Sequence, residues 1–135
     1  MLTEFAVDRQ RRRVFVRLED PIVAPDELIA LLDQQAAEGA WQYGMVEDMR
    51  SVTWVPSTNV VKACVDRIET LSSAHGVRGH VAFVVGDNTA LFGMLRMYSI
   101  RGEESDATIH VFRDMHAAEE WLQAVSPIPS GSVGH

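Results

Sequence analysis

A chain of 135 residues with 47% hydrophobic and 23% charged side chains is long enough for one domain with its own core. A net charge of −7 speaks against nucleic acid or an anionic membrane as the main partner, because both require basic surface. The longest apolar runs are about five residues, far short of the roughly 20 that cross a bilayer.

No charged-then-apolar leader opens the chain, and the single cysteine, Cys64, excludes an internal disulfide. A reducing, cytoplasmic setting is therefore expected.

In chain order, Thr3 to Asp8 reads as a short edge strand. The polar run Arg9-Gln10-Arg11-Arg12 then turns the chain into a firmer strand from Arg13 to Leu18, and the two form an antiparallel hairpin. Pro25, with Asp26 and Glu27 behind it, opens a helix. Leu28, Leu31, Leu32 and Ala36 recur at helical spacing, and Gly39 ends it.

Trp41 to Asp48 is the next expected strand, followed by a loop from Met49 to Pro56. A second helix carries Val61, Cys64, Val65, Ile68 and Leu71 as its core stripe and ends near His75-Gly76. Cys64 lies on that stripe, which suits inert packing. Val81 to Val85 is an unbroken apolar run between Gly79 and Gly86, the pattern of a strand inside a parallel sheet.

Asp87-Asn88-Thr89 is a helix-capping signal for a third helix over Ala90 to Ile100, and Arg101 to Asp106 reads as a polar turn. Ala107 to Phe112 is the last strand. Asp114 caps a final helix whose apolar face holds Ala118, Trp121, Leu122 and Val125. Residues 127–135, rich in Pro, Ser and Gly, read as a flexible tail behind a single domain over 1–126. The order β-β-α-β-α-β-α-β-α predicts an α/β fold: a mostly parallel five-stranded sheet with an antiparallel N-terminal edge strand.

Ligands of open α/β sheets commonly bind at the carboxyl ends of the strands, where Asp20, Asp48, Asp87 and Asp114 fall. Such acids suit a hard cation, yet Asp87 and Asp114 are already accounted for as helix caps. The five histidines show no metal-ligand spacing, though His80 and His110 fall on neighbouring strands. Nucleotide and hydrolase fingerprints are missing, so no metal or cofactor is expected.

On the third helix Leu91, Met94, Leu95 and Tyr98 share a face that Ala90, Met97 and Phe92 widen to nearly half the circumference. That surplus reads either as a well-buried helix or as a margin kept for a partner or an apolar ligand.

The element order over residues 3–125 is one of two features that resemble the SpoIIAA-like family. The other is the combination of Phe92-Gly93-Met94-Leu95-Arg96-Met97-Tyr98, Val111-Phe112-Arg113-Asp114 and Ala117-Ala118-Glu119-Glu120-Trp121-Leu122. This family includes the STAS domains of sulfate transporters and anti-sigma-factor antagonists, and it overlaps in description with CRAL-TRIO-type lipid-binding folds. The combination is similar to a group of small bacterial proteins within it.

The resemblance implies a SpoIIAA-like fold and a non-enzymatic regulatory or protein-interaction module. In anti-sigma-factor antagonists a serine at the start of the second helix is phosphorylated, and Ser57 falls at that position. Pro56 replaces the family's preceding Asp, and Asn59 its Gly. A phosphate at Ser57 would meet free helix amides, while a plain N-cap explains the same serine.

The expected contact surface is the Trp54–Thr58 loop with Phe92, Met94, Met97 and Tyr98, and the surplus apolar area allows a homodimer. One alternative is a carrier of a small apolar, lipid-like ligand held beside Met94 and Met97. Another is an enzyme using the strand-end acids.

Overall fold

The computed structural model describes residues 1–20, 25–103 and 109–127, with backbone alone over 98–103. Nine elements follow one another: β1 (Leu2–Asp8), β2 (Arg13–Glu19), α1 (Pro25–Ala37), β3 (Gly44–Ser51), α2 (Thr58–His75), β4 (Val81–Val85), α3 (Thr89–Glu103), β5 (Ile109–Phe112) and α4 (Met115–Val125). The five strands form one sheet in the order β1-β2-β3-β4-β5. β1 runs antiparallel to β2, and all later pairs are parallel. This is the expected α/β architecture, with the 81–85 strand inside the sheet and parallel to both neighbours.

Because the strand order never reverses, right-handed crossovers carry every connecting helix to one side. The packing follows that rule. Val14, Val16 and Leu18 of β2, Met45 and Met49 of β3, and Val81 and Val85 of β4 share one core with Leu31 of α1 and Leu91 and Leu95 of α3. Val46, Ala82 and Val84 point the other way, onto Ala118 and Leu122 of α4. A sheet without a reversal has no crevice at its strand ends of the kind that binds ligands in doubly wound folds.

Several boundaries differ from the expected ones, each for a local reason. β3 begins at Gly44 rather than Trp41. Trp41 is drawn out of the sheet, buried among Leu32, Ala36 and Leu71, with its indole N–H donating to the Gly76 carbonyl at 3.0 Å. Tyr43 N–H closes a turn onto the Ala40 carbonyl at 3.1 Å. Buried Gln35 holds the same corner by donating from Nε2 to the Ala40 carbonyl at 3.0 Å.

α3 runs on through Glu103, so Arg101–Glu103 is helix rather than turn. Its cap is Asn88, whose Oδ1 accepts from Leu91 N–H at 3.1 Å, and not Asp87. Residues 104–108, which include the start of the expected last strand, and the tail from 128 onward lie outside the described residues.

Gly79 shows why β4 needs glycine beside it: a Cβ there would stand 2.2 Å from the Tyr43 carbonyl oxygen. Gly86, at the other end, would place one 2.7 Å from the Arg50 carbonyl oxygen. Both glycines that bracket the apolar run mark close backbone approaches, to Tyr43 just before β3 and to Arg50 within it.

Candidate functional site

The expected core stripe of α2 is only half used. Of its residues Leu71 is buried, Val61, Cys64 and Ile68 are half-buried, and Val65 is exposed, while Val60, outside the expected stripe, is buried. The reason is positional. α2 packs mainly on α1, whereas α3 lies on β4 and β5, so part of the α2 stripe looks at the sheet across a gap.

That gap is a cavity of about 130 Å³ walled by α1, α2, α3 and the sheet. Leu28, Cys64, Ile68, Met94, Phe83 and Ile109 supply much of the wall, and Pro56 comes from the loop before α2. A cavity of about 150 Å³ holds one benzene molecule. The space therefore matches a ligand of roughly six to ten non-hydrogen atoms.

Two charged residues break this apolar lining. Glu47 projects from the middle of β3, paired with Val16 on one side and Phe83 on the other, and is 5% exposed. Arg78, in the short connection from α2 to β4, is 6% exposed. It lies over the Trp41 ring at 5.3 Å and points Nη2 at the Met45 sulfur, 3.9 Å away. Both residues line the cavity, yet no contact ion pair joins them among the described residues, and Arg78 Nε has no hydrogen-bond partner.

Burial pushes the Glu47 carboxyl up to about 7, against a smaller downward pull from Arg78. Burial lowers the Arg78 pKa while Glu47 raises it, but a guanidinium stays charged in any case. The Cys64 thiol is pushed up, first by burial and then by Glu47, which makes it a poor nucleophile at neutral pH.

The loop carrying Trp54 and Pro56 is pinned from two sides. Asp20 accepts from the Thr53 N–H at 2.9 Å and from its hydroxyl, and these bonds hold the Asp20 carboxyl below its ordinary range. Asn88 Nδ2 donates to the carbonyls of Val52 and Trp54 at 3.1 and 3.3 Å.

The residues singled out by sequence scatter around this site. Met94 lines the cavity, but Met97 is 58% exposed and stands outside it. Trp54 and Phe92 are half-buried against the core, and the Arg113 guanidinium covers the Phe92 ring at 4.1 Å. Ser57 is exposed and caps α2, its Oγ accepting from Val60 N–H at 3.4 Å. Thr58 is the exposed first residue of that helix, and the Tyr98 side chain lies outside the described residues.

The four strand-end acids do not form one site. Asp20 anchors Thr53, Asp48 is held by arginines, Asp87 is exposed and Asp114 caps α4 at 2.8 Å from Ala117 N–H. Among the described residues no group of three or more His, Cys, Asp and Glu is placed to hold a metal ion. His80 and His110 flank Trp121 on the opposite face, at 5.7 and 5.4 Å between ring centres.

Sequence reasoning passed over Glu47 and Arg78. A signal existed for the first: Met45, Glu47 and Met49 form one alternating row, with a carboxylate interrupting two methionines. The chain matches no protein-family model, no curated protein and no solved structure, so the site is read on its own chemistry. No helix among the described residues is long and apolar enough to cross a membrane.

Proposed function

We propose that this domain is a receptor or carrier for a small, mainly apolar molecule with one polar end, held between α2 and the sheet. One observation carries the reading: an apolar cavity of about 130 Å³ lined by two nearly buried charged side chains, Glu47 and Arg78, that no contact ion pair joins. A cavity that served packing alone would be expected to close or to be lined by apolar groups, because burying a charge without a partner is costly. Such charges are expected where they contact a ligand.

Cys64, the only cysteine in the chain, lies in the cavity wall and offers a direct test. A bound molecule should shield it from a small alkylating reagent, and native mass spectrometry of freshly purified protein should show an added mass of about 80–140 Da, from the size of the space. A panel of small apolar compounds that leaves the alkylation rate unchanged would refute the reading.

The raised Glu47 pKa favours a second reading, in which Glu47 acts as a general base on the bound molecule. Turnover abolished in Glu47→Gln, with ligand binding kept, would support it. The protein-docking reading draws on exposed Met97 and on Ser57, which sits in the loop that supplies Pro56 to the cavity rim. It predicts that Ser57→Glu alters affinity for a partner.

A further inference from the structure

The reading of the cavity as a binding site leaves the polar end of its ligand open, and the chemistry of the two charged residues narrows it. Arg78 is a fixed cation: it cannot shed its proton, its Nε is without a partner, and its one hydrogen-bond contact is a thioether sulfur at 3.9 Å, a weak acceptor. Among the described residues Glu47 is the only acidic residue lining the cavity, and its carboxyl makes no hydrogen bond. Cys64 of α2 is the remaining titratable lining group among the described residues. Among the described residues the lining contributed by α1, α3 and β5 is apolar, and β2 places Val16 beside Glu47.

We infer that the ligand is a small monocarboxylate, its carboxylate forked onto the Arg78 guanidinium and its apolar tail held under α2. Guanidinium and carboxylate match as a two-point, charge-assisted pair, and this pair would give the buried cation a charged partner in direct contact, which Glu47 does not supply. Glu47 then faces a second carboxylate and takes a proton from solvent, donating its O–H to the ligand. Glu47 already holds its proton far more readily than an ordinary glutamate, so this uptake costs little near neutral pH. An alkylammonium ligand would meet the fixed charge of Arg78. A carboxamide would accept from Arg78 without supplying the charge.

The test compares charge at constant shape. Hexanoate, hexanamide and hexylamine, with benzoate, benzamide and benzylamine, are titrated by calorimetry at pH 6 and pH 8, alongside their protection of Cys64 from alkylation. The acids should bind tightest and weaken roughly tenfold from pH 6 to pH 8, as expected for one proton taken up by a group titrating near 7. Titration in buffers of different ionisation enthalpy should show that proton directly. Glu47→Gln should keep hexanoate binding and flatten its pH dependence, and Arg78→Met should lose the acids by at least tenfold while sparing the amides.

Should Arg78→Met fail to fold, the wild-type charge series decides the matter without it. Amides or amines that bind as tightly as the acids would overturn the carboxylate and leave the cavity reading standing. Failure of all six compounds to protect Cys64 would overturn both.

Discussion

Glu47 and Asp48 are neighbours on β3, both nearly buried, and they point to opposite faces of the sheet. On the α4 side, Arg50 grips Asp48 with Nε and Nη2, each at 2.9 Å, and Arg17 Nε adds a bond at 3.3 Å. Burial alone would raise the Asp48 carboxyl, but these bonds outweigh it and hold the group below its ordinary range. On the α1–α3 side, Glu47 receives no such bonds and is pushed up to about 7. Two adjacent carboxylates thus titrate in opposite directions. Burial dominates at Glu47, whereas at Asp48 the arginine donors outweigh it.

The largest effect should come from Glu47. Its pKa is raised on folding from 4.5 to about 7, so the folded state keeps a proton that the unfolded chain has lost. Stability should then fall across that interval as pH rises, level off above it, and drop by about 3 kcal/mol in all. Urea unfolding at pH 5 and pH 8 measures this drop, and Glu47→Gln should remove it. A pH-independent wild type would break the contrast.

Asp48 should behave in the reverse sense. Its lowered pKa adds stability above the ordinary carboxylate range, and that stability is lost as pH falls through the folded value. Asp48→Ala should cost about 2 kcal/mol at pH 7, less than a fully buried pair, because Arg17 and Arg50 can turn to solvent. Chemical denaturation at pH 7 checks this; a loss matched by Glu47→Ala would mean that the two acids do the same work.

Smaller effects should separate the helices on the two faces. Asp114 caps α4 with a 2.8 Å bond, and Asp114→Ala should cost about 1 kcal/mol. Ser57 caps α2, the helix over the cavity, through a longer 3.4 Å contact, and Ser57→Ala should cost nearer about 0.5 kcal/mol. Thermal melts of the two variants rank them, and hydrogen exchange should show α2 opening more readily than α4.

Much of the architecture was legible because it rests on local chemistry. Pro25 and Asp114 marked helix starts through their own backbone and side-chain preferences. The run from Val81 to Val85 marked an interior strand through its composition. The site was legible only in part: Met94 was singled out beside an apolar ligand and lines the cavity, but the charged pair was not found, for two reasons. Placing a ligand at the strand ends assumed a reversal of strand order, and this sheet has none. The polar pair joins a strand residue to a loop residue on the far side of the α2 crossover, and no local spacing connects Glu47 to Arg78.

The sequence by itself determined the kinds of element and their order, because capping, helical period and strand composition act over a few residues. It also determined that Glu47 and Asp48, adjacent on a strand, would face opposite ways. Only the tertiary structure decided which of them faced the three crossover helices, because that choice depends on where β3 starts, and Trp41 was drawn into the α1–α2 contact instead of the sheet. The same placement left α2 leaning on α1, opened the space beneath it and brought Arg78 to its wall. Each of these outcomes is a competition between distant packing partners, which a reading of neighbours along the chain does not contain.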